Sequence, residues 1–182
     1  YDQECSWWHT DERGEVYRNR IRKINGRSYA FDGIGRMQTG FVLFDGKSEF
    51  VARYEVDDWS SEDFIEGTIY GIEKSDLYLF SPDELNDGSM QIGKDRAVEL
   101  EDGVFHFGFA SNGKAFGNRN RLQKKEGMYY INGLRLEADE EYGYGVVKVE
   151  DGADTYYQVV DTKGKVIEGK KKIVKDKEGG YL

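Results

Sequence analysis

Proline is almost missing from this chain, with one residue in 182 against 23 glycines. Bends fixed by proline rings are thereby excluded, and turns fall to residues that reach positive φ, which favours tight β-hairpins. Cysteine occurs once, at Cys5, so no internal disulfide is available and cysteine usage does not identify a redox compartment. That thiol and two histidines, His9 and His106, leave little raw material for a closed zinc site or a Cys–His nucleophile. Metal and cofactor chemistry are therefore not expected. Cations are outnumbered, with Lys+Arg 26 against Asp+Glu 35, and the net charge of -9 disfavours a nucleic-acid partner. No run approaches the roughly 18 apolar residues that a membrane helix needs. The start Tyr1-Asp2-Gln3, without a signal peptide, is expected of a mature or excised fragment.

What is present is aromatic. Hydrophobic residues make up 38% of the chain and aromatics 14%, and the rings recur in clusters, so the expectation is a folded protein whose thin core is built from rings. Asn-Gly stands at Asn25-Gly26, Asn112-Gly113 and Asn132-Gly133, and Asp-Gly at Asp32-Gly33, Asp45-Gly46, Asp87-Gly88, Asp102-Gly103 and Asp151-Gly152. These dipeptides suit type I′ hairpin turns, whose two central residues both need φ > 0. Between them lie short runs of period-two character: Ser28–Phe31, Leu77–Phe80, Phe105–Phe109 and Met128–Ile131. The one stretch with a helical reading is Trp59–Ile65, where Ser60 or Ser61 is placed to cap and Glu62 and Asp63 fall in the first turn.

Glycine spacing adds a repeat. Gly14, Gly40, Gly67, Gly93, Gly117, Gly143 and Gly169 are separated by 26, 27, 26, 24, 26 and 26 residues. Gly35-Arg36-Met37-Gln38-Thr39-Gly40 matches Gly88-Ser89-Met90-Gln91-Ile92-Gly93, Gly164-Lys165-Val166-Ile167-Glu168-Gly169 keeps the glycine spacing, and Gly113–Gly117 is one residue shorter. The expected unit is an aromatic strand, a glycine turn, a second strand and a closing glycine. Units at Gly14, Gly67 and Gly143 are degenerate.

The run from Ile24 to Phe41 resembles the cell-wall-binding repeat of Gram-positive surface proteins, the family of choline-binding modules, glucan-binding domains and clostridial toxin repeats. Leu77–Gly93, Phe105–Gly117 and Tyr156–Gly169 carry the same resemblance. It implies an all-β solenoid of stacked β-hairpins, here with units of about 26 residues, some degenerate. Residues 1–20 would be a degenerate N-terminal unit or the end of an upstream repeat, and residues 21–182 the repeat domain. One hairpin cannot bury its apolar face in water, whereas stacked units share a continuous core. In choline-binding members the ligand sits in an aromatic cage that depends on tryptophans. Here Ser28, Leu77, His106 and Tyr157 stand at the first of those positions, and Phe41, Lys94, Asn118 and Lys170 at the second.

The candidate ligand-binding residues are Tyr29, Phe41, Tyr78, Tyr129, Tyr130, Tyr156, Tyr157, Trp7 and Trp8, with packing as the competing role of each ring. Neighbours in a strand point to opposite faces, so one ring of each pair Tyr129-Tyr130 and Tyr156-Tyr157 is expected at the surface. The carboxylate runs Asp57-Asp58, Glu62-Asp63, Asp83-Glu84 and Asp139-Glu140-Glu141 read as solvated faces, since an acid–base pair needs one member desolvated. Calcium at Asp57-Asp58 or Asp83–Gly88 is a side reading without the EF-hand spacing. Lys170-Lys171-Lys172 with Lys175 and Lys177 reads as an edge strand guarded by lysines, or as a contact for an anionic polymer.

The resemblance implies a non-catalytic, secreted or surface-exposed module of a Gram-positive bacterium. Its partner would be cell-wall polymer, either teichoic acid or peptidoglycan, or glucan. The alternatives are a degenerate spacer or protein-interaction domain that keeps the scaffold without a small-ligand pocket, and a β-sandwich with accidental glycine spacing.

Overall fold

The computed structural model describes residues 7–82 and 88–169. Among the described residues the chain is all-β apart from one short helix and one 3-10 turn, and its strands form several small antiparallel sheets. The first sheet joins β1 (Arg20–Ile24), β2 (Arg27–Phe31) and β3 (Met37–Gln38) in that order, and the second sets β4 (Gly40–Asp45) between β5 (Phe50–Tyr54) and β6 (Ser75–Phe80). Next come β7 (Gly93–Leu100), β8 (Gly103–Phe109), β9 (Gln123–Lys125), β10 (Met128–Ile131) and β11 (Leu134–Arg135), in the spatial order β7-β8-β11-β10-β9. A two-stranded hairpin, β12 (Tyr144–Asp151) with β13 (Asp154–Asp161), ends the described chain.

All four expected strand runs lie in strands, namely β2, β6, β8 and β10. Asn25-Gly26 and Asn132-Gly133 make the expected hairpin turns, with both residues at positive φ. Glu126-Gly127 makes the same turn between β9 and β10 without a signature dipeptide. Asp32-Gly33 and Asp45-Gly46 do not adopt the type I′ geometry. There the aspartate closes a longer turn: Asp32 Oδ1 accepts the N–H groups of Ile34 and Arg36, and Asp45 Oδ1 those of Lys47 and Glu49. Asp11 and Asp161 hold their turns in the same way, so the Gly14 unit keeps more of the repeat than its spacing suggests. Side-chain carboxylates here do what a backbone acceptor would do in a tighter turn.

The insertion between β5 and β6 contains helix α1 (Ser61–Glu66). Ser60 is its N-cap, and the side chain of Asp63 in turn accepts the Ser60 N–H, completing a capping box. Gly67, a member of the 26-residue series, ends this helix in the left-handed conformation and closes no hairpin. The helix is tied to the following sheet at both ends. Ser61 donates to the Asp102 carboxylate through N–H (2.9 Å) and hydroxyl (2.6 Å), and buried Asn132 donates to the Phe64 carbonyl at 2.8 Å. Hydrogen bonds from the Thr68 hydroxyl and from Ser60 hold the Asp63 carboxyl below the usual carboxylate range. A lowered folded-state pKa contributes stability above the ordinary aspartate pKa and loses it as pH falls through the folded value. Asp63→Asn is therefore expected to be less stable than the parent at neutral pH, with the gap closing in acid, as urea melts at several pH values will read.

Side-chain alternation builds three cores in chain order. On β4, Val42 and Phe44 face a cluster shared with Ala30, Tyr78 and Phe80, while Phe41 and Leu43 face the other way, toward Phe64, Phe107, Phe109 and Leu134. The second sheet thus has both faces covered. A third cluster joins Tyr129 to Val147, Val149 and Val160 of the terminal hairpin. Backbone bonds link the successive units at matching positions: Met37 N–H to Trp7 O, Met90 N–H to Ser28 O, Ala115 N–H to Leu77 O and Val166 N–H to Gly127 O, all at 2.8 Å.

Candidate functional site

Four of the expected ligand-contacting rings are core residues. Phe41, Tyr78, Tyr129 and Tyr130 are buried, and Tyr129-Tyr130 does not expose one ring of the pair. The reason is the sandwiching of strands β4, β6 and β10 between neighbouring units, so that alternation sends successive rings into two cores and none to solvent. Tyr130 packs edge-on to Phe116 and donates its hydroxyl to Lys94 O at 2.7 Å, and burial raises the pKa of its phenol. Tyr29 is half-buried on β2. The terminal hairpin has rings at the surface on both faces, with Tyr156 41% and Tyr157 66% exposed. Trp7 and Trp8 are likewise exposed at the opposite end, where the backbone of Trp8 bridges to Arg36.

Two of the expected residues do meet. Gln158 on β13 accepts a hydrogen bond from the Tyr129 hydroxyl, and a hydrogen bond to Tyr129 holds the Tyr156 phenol above the ordinary tyrosine pKa. The ammonium of Lys124 lies 5.3 Å from the centre of the Tyr129 ring and 3.5 Å from Gln158 Oε1. Strands β9, β10 and β13 thus bring an aromatic edge, a phenol, an amide and an ammonium to one joint between hairpins. Rings, hydroxyls and amides are the groups that stack on and hydrogen-bond to a sugar. Three ring faces already carry a cation of the chain: Lys124 on Tyr129, Lys125 on Phe116 and Arg22 on Tyr17.

Lys124 also lines a groove of about 630 Å³, whose walls include Lys114, Phe116, Asn118, Arg121 and Gln123. A second groove of about 470 Å³ runs between the Asn118–Arg121 turn and β12, with Leu122, Ile131, Val147 and Val160 as its apolar lining. Neither sequence spacing nor resemblance marked these grooves. The available signal was the stretch from Ser111 to Lys125, which holds five cations and no acid in an otherwise acidic chain. Among the described residues no three His, Cys, Asp or Glu side chains gather as a metal site, and no helix is long and apolar enough to cross a membrane. The side chains of Asp58 and Asp63 are engaged in local turn and cap bonds. Cys5, Asp83–Asp87 and the lysines from Lys170 onward lie outside the described residues.

The fold and this joint define an all-β protein of hairpin units with aromatic contacts between them. No family model and no curated protein matches the chain. Among solved structures, it is similar to CbpJ from Streptococcus pneumoniae TIGR4, at 12% identity over 100% of this chain and 65% of that one, with a TM-score of 0.48. Choline binding protein F from Streptococcus pneumoniae matches at 16% identity over 90% of this chain and 44% of its own, with a TM-score of 0.28. The endolysin from phage Cp-1, solved in complex with choline, matches at 15% identity over 90% of this chain and 37% of its own, with a TM-score of 0.35. The chain thus spans less than two thirds of each of these proteins. They belong to the choline-binding, cell-wall-binding repeat proteins that the Ile24–Phe41 motif resembles.

Proposed function

We propose that this chain is a non-catalytic module that binds cell-wall polymer or glycan at the surface of a Gram-positive bacterium. Its units would be hairpins stacked as a solenoid, with residues 1–20 as a degenerate N-terminal unit or the end of an upstream repeat and 21–182 as the repeat domain. The observation that carries the reading is the joint of Tyr129, Tyr156, Gln158 and Lys124 beside an amide-lined groove. The Ile24–Phe41 motif supports the wall as the partner. Because Lys124 already occupies the Tyr129 face, a sugar or an anionic group fits the joint better than a quaternary ammonium. Exposed Tyr157, Trp7 and Trp8 would add stacking contacts outside it.

Pelleting with Gram-positive sacculi, with and without attached teichoic acid, tests this. The purified chain is expected to pellet saturably, to be competed by soluble wall glycan or glucan and little affected by choline. Tyr156→Ala should weaken pelleting roughly two- to tenfold, in line with the roughly 0.5–1.5 kcal/mol of one aromatic contact. Absence of pelleting at micromolar protein would remove the wall as partner and leave a spacer or protein-interaction role.

A further inference from the structure

Asn-Gly occurs three times in the chain, at Asn25, Asn112 and Asn132. Glycine has no side chain to obstruct its own main-chain nitrogen, so that nitrogen can close a five-membered ring on the side-chain amide of the asparagine before it. Two of the sites are alike in backbone as well as in sequence. Ile24-Asn25-Gly26 and Ile131-Asn132-Gly133 are the same tripeptide, and each joins two paired strands. Their φ angles are 50° and 85° at the first site against 48° and 83° at the second. Any difference in reactivity between them therefore comes from the surroundings.

Those surroundings are opposite. Asn132 is 3% exposed, its Nδ2 donates to Phe64 O at 2.8 Å, and the Gly133 N–H donates to Phe116 O at 2.8 Å. A Cβ on Gly133 would lie 3.1 Å from Ala115 Cβ and 3.2 Å from Phe107 Cδ1, so this turn is packed on a core. The site at Asn112 is held too. Asn112 Oδ1 accepts the Lys114 N–H at 3.1 Å, the Gly113 N–H donates to Ala110 O at 2.9 Å, and the Met90 side chain fills the space where a Gly113 Cβ would stand. At Asn25-Gly26 none of these restraints applies. Both residues are exposed, and nothing lies within 4 Å of a Cβ placed on Gly26. Among the described residues neither the Asn25 side chain nor the Gly26 N–H has a hydrogen-bond partner. Strand β1 is the edge of its sheet, so the tip rotates into an attacking geometry at the loss of the Ile24–Arg27 pair alone, whereas Asn132 moves only with two interior strands of a five-stranded sheet.

We infer that Asn25-Gly26 is a site of spontaneous deamidation through a cyclic imide, and that the fold shields the other two sites. The Gly26 nitrogen loses its proton to solvent and bonds to Asn25 Cγ; the Cγ–Nδ2 bond breaks, and the amide nitrogen regains that proton and leaves as ammonia. Water then opens the ring at either carbonyl and gives aspartate or isoaspartate at position 25. Overall one water is consumed and one ammonia released, and nothing is oxidised or reduced. Each conversion adds a negative charge. The isoaspartate product also lengthens the main chain of a two-residue turn by one carbon, which works against the pairing of Ile24 with Arg27.

The test incubates the full chain folded and, in parallel, unfolded in guanidinium chloride, at mildly alkaline pH where more of the attacking nitrogen is deprotonated. Each site is followed by peptide mass mapping, for a gain of about 1 Da, and by isoaspartate-specific methylation. In the unfolded chain only local sequence acts, so the three sites should convert within about threefold of one another. In the folded chain Asn25 should convert at least about tenfold faster than Asn112 or Asn132, with isoaspartate among its products. An Asn25→Gln variant should lose nearly all of the ammonia release of the folded parent. Equal folded-state rates at the three sites, or a faster Asn112, would overturn the shielding. If folding slows Asn25 as much as it slows Asn132, the turn geometry itself blocks the attack and the site is overturned. Aspartate without isoaspartate at position 25 would mean direct hydrolysis of the side chain and overturn the attack by Gly26.

Discussion

Gly117→Ala is expected to destabilise the protein by roughly 2–5 kcal/mol, against about 1–2 kcal/mol for the same change at Gly169. The four closing glycines, Gly40, Gly93, Gly117 and Gly169, share positive φ, so each alanine carries the left-handed penalty of about 1–2 kcal/mol. What separates them is the space that a Cβ would enter. At Gly117 it would lie 2.3 Å from Tyr130 O, and at Gly40 it would lie 2.4 Å from Tyr54 O. Both obstacles are backbone, so the strands must separate, and overpacking of this kind costs about 1–3 kcal/mol more. Near Gly93 the closest atom is Arg96 Nε at 3.7 Å, and near Gly169 nothing lies within 4 Å among the described residues. The order expected in urea unfolding is Gly117 and Gly40 far below Gly93 and Gly169. Equal losses at all four would mean that φ alone sets the repeat and that the tight closure on the next strand has no energetic weight. Against a total stability of about 5–15 kcal/mol, the Gly117 change alone approaches unfolding of a weak domain.

The same glycines mark the limit of what sequence reading can reach. Local chemistry was legible because it acts within a few residues: Asn25-Gly26 and Asn132-Gly133 turn as expected, Ser60 caps the one helix, and the matched glycine pairs recur with positive φ. Glu126-Gly127 escaped because its turn is imposed by strand pairing with no signature dipeptide, and Gly67 misled because a helix C-cap and a hairpin closure both demand the left-handed conformation. The larger failure was at Tyr78 and Tyr130. Period-two patterning tells which residues share a face and says nothing of whether the second face is open; here Ala30, Val42 and Phe44 cover Tyr78, and Phe116 packs on Tyr130. The site was half legible for that reason. Tyr129 and Tyr156 stood out as members of adjacent pairs, but their meeting with Gln158 and Lys124 depends on contacts between hairpins roughly 30 residues apart, such as the 29-residue span from Tyr129 to Gln158.

Phe107→Ala is expected to cost about 3–5 kcal/mol and to loosen more than one sheet. Phe107 is fully buried on β8, and its ring centre lies 5.3 Å from that of Phe41 on β4, 5.0 Å from Phe64 on α1 and 6.3 Å from Phe109. One side chain thus connects the second sheet, the helical insertion and the five-stranded sheet. Its neighbours are held by the backbone and by the Asn132–Phe64 bond, so they cannot close fully over the space that a methyl group leaves. Tilted and edge-on aromatic pairs add about 0.5–1.5 kcal/mol beyond area, so Phe107→Leu should still lose part of the effect while filling most of the volume. Hydrogen exchange distinguishes this knot from an ordinary core position. In the alanine variant, protection should fall together in β4, α1 and β8 while the β12–β13 hairpin, whose core contains Tyr129 and no part of the Phe107 cluster, keeps its relative protection. A loss confined to β8 would instead mean that the units fold independently of the ring contacts between them, and the cooperativity of the stack would then have to come from the inter-unit backbone bonds at Met90 and Ala115.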